Sequence, residues 1–195
     1  MRGDAWRRAG AVGLVAVAAV VALILWARSG PEPSREPSPP VAAASAPAVT
    51  SSLSPTDLAY LQLMISLDDS ALPLLEILAA DPAQAAFAKT AADGHRAELA
   101  ELRAALVAGG GVEDSSIHAG HDLPGMVVDA DLAAVRAVPA AQRTAKAVEV
   151  LREHLTGTTA LCTSEGRAGA DPATKAAAAR ILDAHGKLLA ALPAM

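Results

Sequence analysis

The chain is 195 residues long with a formal net charge of -5, and it is 52% hydrophobic yet only 2% aromatic. That length allows one ordinary domain plus appendages, and that composition points to helices packed through Ala and Leu. The basic residues are scattered, which excludes the electrostatic footprint of a nucleic-acid binder; the single Cys162 excludes an intrachain disulfide and any multi-cysteine metal site. Cys162 reads as a small semi-buried residue, with an intermolecular disulfide as the alternative.

Residues 1–8, MRGDAWRR, carry three Arg against one Asp and precede nineteen uncharged residues, Ala9 to Ala27. As a helix that run would span about 28 Å, close to the hydrocarbon thickness of a bilayer. Trp6 and Trp26 fall at its two ends, where indoles favour the interface, and the Arg excess places the N-terminus inside. The expectation is a transmembrane anchor over 9–27, a cell-membrane protein with a single pass, and the rest of the chain outside the cytoplasm. A cleaved signal peptide is the rival reading, but the only small-x-small sites, in AAASA at Ala42–Ala46, lie well beyond the apolar run. Residues 28–53 form a Pro, Ser and Ala-rich spacer that cannot bury enough surface to fold.

The expected folded domain covers 54–195. It opens at Ser54, where SPTD supplies a cap, a Pro and an acidic residue, and Leu58, Leu61, Ile65, Leu72 and Leu75 keep a helical spacing. Pro73 predicts a kink or a division of that helix. A second helix runs from Asp81 to about Val107 and stops at Gly109–Gly111, completing a hairpin over 54–107. The polar connection 108–128 is long enough to be functional, and a short helix follows at Asp129–Val138. A second hairpin then spans 139–193, with a helix from Ala140 to about Leu161, a break at SEGRAGA, and a last helix from Asp171.

The two hairpins repeat each other. Asp81–Leu102 and Asp171–Leu192 agree at ten of twenty-two ungapped positions, including Asp, Pro, Asp, His and two Leu besides Ala. His95 and His185 occupy equivalent positions in the copies, and equivalence in a repeat argues for a packing role. The fold class that follows is all-α: a ferritin-like four-helix bundle made of two repeated hairpins, plus the N-terminal transmembrane helix.

Two groups of side chains could hold a metal. His118, His121 and Met126 lie within nine residues of the connection, and imidazole with thioether suits copper. Asp68, Asp69, Glu153 and His154 lie midway along the first helix of each hairpin, where facing helices could bring them together. The bundle helices carry no Glu-x-x-His, so di-iron carboxylate chemistry lacks its ligands, and no activated nucleophile assembles. A non-enzymatic protein is expected.

DLAYLQLMI, a DPA helix ending in HRAELAEL, then HAGHDLPGM, then a second copy of the hairpin together resemble the family catalogued as domain of unknown function 305, over about residues 55–193. The resemblance implies a secreted or membrane-anchored ferritin-like bundle associated with copper. It also implies a Met-Ile-x-His-His signature on the first helix of each hairpin. Here Met64 and Ile65 are followed by Ser66, Leu67 and Asp68, while the second copy reads Val150, Leu151, Arg152, Glu153 and His154; Leu123 stands where the connecting segment commonly has Met. One signature imidazole of four is left, so soft-metal affinity at that site is expected to fall.

Two functional readings follow. In the first, this is a non-catalytic binding or interaction module with a degenerate metal site, whose partner is an intact family relative or a second copy of the chain. In the second, it is an extracytoplasmic copper-binding protein using His154, His118, His121 and Met126, with Glu153 and Asp68 as oxygen ligands.

Overall fold

The structure, a computed structural model, describes residues 52–192. The anchor expected over 9–27 and nearly all of the spacer lie outside the described residues. Among the described residues there are five helices and no strand: α1 (Pro55–Ala79), α2 (Ala85–Ala108), α3 (Asp129–Ala137), α4 (Ala140–Ala168) and α5 (Pro172–Ala191). None of these helices is long and apolar enough to cross a membrane.

Helix α1 starts as the sequence dictates. The Ser54 hydroxyl accepts from the Asp57 N–H at 3.2 Å, and the Asp57 carboxylate accepts from the Ser54 N–H at 3.0 Å, a reciprocal capping box behind Pro55. Pro73 does not divide the helix, which runs unbroken to Ala79. Interrupting one backbone bond costs about 3 kcal/mol, and the burial of Leu74, Leu75 and Leu78 on the next turn offsets it.

The two Asp-Pro starts differ. Asp171 caps α5 directly, accepting from the Thr174 N–H at 2.7 Å. Asp81 instead closes a turn: its carboxylate takes the Ala83 N–H and the Thr144 hydroxyl of α4, and α2 begins only at Ala85. The break expected at SEGRAGA also moves. Helix α4 continues through Gly166, which costs only about 1 kcal/mol in a helix interior, and ends at Ala168. There Asp57 of α1 accepts the N–H groups of Ala170 and Asp171 at 2.9 and 3.1 Å and so fixes the turn.

Helix α1 packs on α2 and α4 on α5; α1 also lies against α4, and α2 against α5, while α3 rests on α4. Two apolar clusters form. One gathers Leu74, Leu75, Leu78, Val135, Leu151 and Leu155; the other gathers Leu61, Met64, Ile65, Leu102, Leu106 and Ile181. Along each long helix the change from one cluster to the other is occupied by a buried polar residue: Asp68 on α1, His95 on α2, Thr158 on α4 and His185 on α5. The connection 109–128 is tied down by side chains of α1, α2 and α4. Gln62 donates to the Val112 carbonyl at 2.6 Å, Arg103 pairs with Glu113, and the Ser70 hydroxyl accepts from the Val127 N–H at 3.1 Å.

Candidate metal centre

The buried polar layer is built from residues on the core-facing stripe of each helix. On α2 the buried positions 88, 91, 95, 99, 102 and 106 share one face, and on α4 the positions 147, 151, 154, 158, 162 and 165 do the same. His95 and His185 are wholly buried, and His154 is 1% exposed. The ring centroids stand 4.9 Å (His95–His185), 5.2 Å (His95–His154) and 5.9 Å (His154–His185) apart.

Hydrogen bonds fix the tautomers of two of these rings. His95 Nδ1 donates to the Ala91 carbonyl at 2.9 Å, and His154 Nδ1 donates to the Gly125 carbonyl at 2.8 Å. A carbonyl can only accept, so each Nδ1 carries a proton. Burial holds both rings neutral: first burial and then His185 push His95 down to about 4, and burial followed by His95 pushes His154 down to about 3. A neutral imidazole has no second proton to give. With both Nδ1 protons so committed, the two Nε2 atoms, 3.0 Å apart, can share at most one proton or one other cation between them.

Asp68 stands beside them. It is fully buried and neither carboxylate oxygen has a hydrogen-bond partner. Burial, with the nearby Glu98 and Asp69 carboxylates, pushes its carboxyl well above the usual range. One ligand atom each from Asp68, His95 and His185 falls within 4.8 Å of the others. His185 donates through Nε2 to Glu98 at 2.9 Å, while Nδ1 meets the Thr158 hydroxyl at 2.7 Å. That hydroxyl has other acceptors at 3.1 Å, the His154 and Leu155 carbonyls, so it can release Nδ1 without being orphaned.

Of the residues singled out in the sequence, Asp68 belongs to this three-residue group, and His154 adjoins it through His95 without being one of its members. Glu153 is exposed and lines a cavity of about 760 Å³ beside His154, together with Asp122, Gly125 and Met126. His118 and His121 line a different cavity of about 600 Å³ that Met126 also borders. His118 is half-buried and His121 exposed. His95 and His185, expected as packing residues from their repeat equivalence, are buried and hydrogen-bonded, and they lie in the cluster together with Glu98 and Thr158. The available signal was register: both imidazoles fall on the apolar stripe of their helices.

No protein-family model matches the sequence, and no curated protein matches it. Solved structures do. A DUF305 fragment from Deinococcus radiodurans aligns with a TM-score of 0.63 at 17% identity, covering 72% of this chain and 94% of that one. A putative secreted DUF305 protein from Streptomyces coelicolor aligns with a TM-score of 0.62 at 15% identity, covering 70% of this chain and 89% of that one. The chain has the DUF305 fold. Within that fold, Asp68 and His154, the positions at which the sequence resemblance implies the second His of each signature pair, are both buried in the same polar layer. Leu67, at the first position of its pair, is instead core, and Glu153 faces solvent.

Proposed function

We propose that this chain is an extracytoplasmic, membrane-anchored protein whose DUF305-type domain, read as a ferritin-like four-helix bundle, binds one divalent transition-metal ion between its two hairpins. The observation that carries the reading is the His95–His154 contact. Two lone pairs held 3.0 Å apart need a proton or a metal cation between them, and burial, which pushes both rings toward the neutral form, disfavours the proton. Ligand nitrogens bound at about 2.0–2.1 Å to a common ion stand roughly 3.0 to 3.4 Å apart, which matches. Asp68 brings two unpartnered oxygens, and its carboxyl, held toward the protonated form by burial, would release its proton to a binding divalent ion and become the anionic ligand.

The ligands in this reading are His95 Nε2, Asp68 and His185, the last once Thr158 turns to its carbonyl acceptors, with His154 Nε2, 3.0 Å from His95 Nε2, as the fourth. Three imidazoles and a carboxylate favour Zn²⁺ or Cu²⁺ over Cu⁺, which prefers sulfur. Copper remains within the reading as the divalent ion, and the donors are not the loop residues His118 and His121. Side chains buried this completely suit holding an ion better than turning over a substrate, so the protein is read as non-catalytic.

Titration of the full chain with Zn²⁺ and Cu²⁺, beside elemental analysis of the purified protein, tests this. One equivalent per chain is expected, and His95→Ala or His154→Ala should weaken binding more than about 100-fold. Absence of saturable binding to the wild-type chain would sink the reading.

A further inference from the structure

A site this deeply buried needs a way in, and the covering elements are not equal. Four sides of the cluster are helices whose backbone groups are bonded internally; the fifth is the irregular segment Asp122–Met126, which crosses α4 at His154. Only one inter-element hydrogen bond from this segment reaches the cluster, that of the Gly125 carbonyl with His154 Nδ1 at 2.8 Å.

The segment is seated by a backbone contact that two glycines make possible. Gly125 adopts φ 87°, a conformation L side chains rarely take. A Cβ on residue 157 would stand 2.6 Å from the Gly125 Cα and 2.7 Å from the Pro124 carbonyl oxygen, so no larger residue fits there without lifting the segment. Gly157 sits inside α4, where glycine costs about 1 kcal/mol relative to Ala; close approach of Gly125 is what the position gains. Against the segment lies the cavity of about 760 Å³, whose walls carry three carboxylates, Asp122, Asp131 and Glu153, against one guanidinium, Arg152, a net negative lining that favours cations.

We propose that Asp122–Met126 is the gate of the metal centre, seated on α4 by the Gly125–Gly157 contact and latched by His154. The proposal rests on the metal-binding reading above. Its chemistry is reciprocal. An ion on His154 Nε2 draws electron density from the ring, so Nδ1–H becomes a stronger donor to the Gly125 carbonyl and the gate closes more firmly; a closed gate in turn holds the ring in its binding orientation. Gly125 and Gly157 are positioning residues, since neither touches the ion.

The test uses the full chain and Zn²⁺ as probe. In stopped-flow transfer of zinc to a chelator, Gly157→Ala should speed both loading and release by roughly 10- to 100-fold, with helix content unchanged by circular dichroism. In the unmodified chain, hydrogen exchange across residues 118–128 should slow when zinc is added, while exchange across 140–147 of α4 stays as it was. This second measurement decides the matter if the variant folds poorly. A wild-type chain that binds zinc, but whose 118–128 exchange does not respond to it, overturns the gate alone, as does zinc release that Gly157→Ala leaves unchanged. A wild-type chain that binds no zinc overturns the metal reading and the gate with it.

Discussion

The second helices of the two hairpins follow the same Asp-Pro pair and reach different turns, because each turn is held by the first helix of the other hairpin. The α4–α5 turn is held by Asp57 of α1, fully buried, whose carboxylate accepts from Ser54, Ala170 and Asp171. The α1–α2 turn is held by Thr144 of α4 through one hydroxyl bond to Asp81. Duplication supplied the same frame twice, and the cross-ties diverged: one became a buried anionic hub, the other a single contact at the surface. The same divergence runs through the centre, where Asp68 on α1 and His154 on α4 occupy equivalent positions with different chemistry. At the junction of the two hairpins a carboxylate therefore stands in the same buried layer as imidazoles.

The comparison breaks most readily at Asp57. Asp57→Ala removes three charge-assisted bonds and leaves the N–H groups at the start of α5 without acceptors, which should cost about 3 to 4 kcal/mol. Urea denaturation followed by circular dichroism measures it, and a loss below about 1 kcal/mol would show that the junction is held by something else. Burial pushes the Asp57 carboxyl up, but the hydrogen bonds from Ser54, Asp171 and Ala170 outweigh it and hold the group well below the usual carboxylate range. Its contribution is therefore present above the ordinary Asp pKa and is lost as pH falls through the lowered value.

Glu165, on α4 beside Asp57, sharpens the contrast through pH. It is 2% exposed, neither of its oxygens has a hydrogen-bond donor among the described residues, and burial together with the neighbouring Asp57 pushes its carboxyl up to about 7. A raised folded-state pKa means that its contribution is fully present below the unfolded value near 4.5 and is lost as pH rises through about 7. Glu165→Gln cannot ionise. The variant should gain on wild type by about 3 kcal/mol between pH 4.5 and pH 8, read as the difference between two denaturation series; parallel series would remove Glu165 from the account.

How much of this was legible in the sequence depends on the range of the interaction. The capping box at Ser54, the stop at Gly109 and the short helix at Asp129 are local, set by residues within a turn of one another, and they stand where the spacing puts them. The continuation of α4 past Leu161 was not legible, because it depends on Asp57 more than a hundred residues away. The delayed start of α2 depends likewise on Thr144. The cluster was half legible. Asp68 and His154 could be singled out as facing residues at mid-helix, but His95 and His185 read as scaffold because a repeat preserves packing and ligands alike. That they meet Asp68 and His154 in one buried layer depends on how the four helices pack, which only the folded chain supplies.

Thr144→Val is the smallest change and the one that isolates the turn of the first hairpin. The substitution keeps the shape of the side chain and removes the hydroxyl that donates to Asp81 at 2.7 Å. The Asp81 carboxylate then keeps the Ala83 N–H and gains water, since Asp81 is only partly covered, so no buried group is orphaned. Hydrogen bonding is what holds the Asp81 carboxyl below its ordinary range, from Thr144 first and the Ala83 N–H second, so the variant should raise that value while the midpoint of thermal unfolding stays within about 2 °C of wild type. Carboxyl chemical shifts followed through an acid titration report the first, and calorimetry the second. A large loss of stability from Thr144→Val would make the two junctions equal partners and would undo the contrast with Asp57.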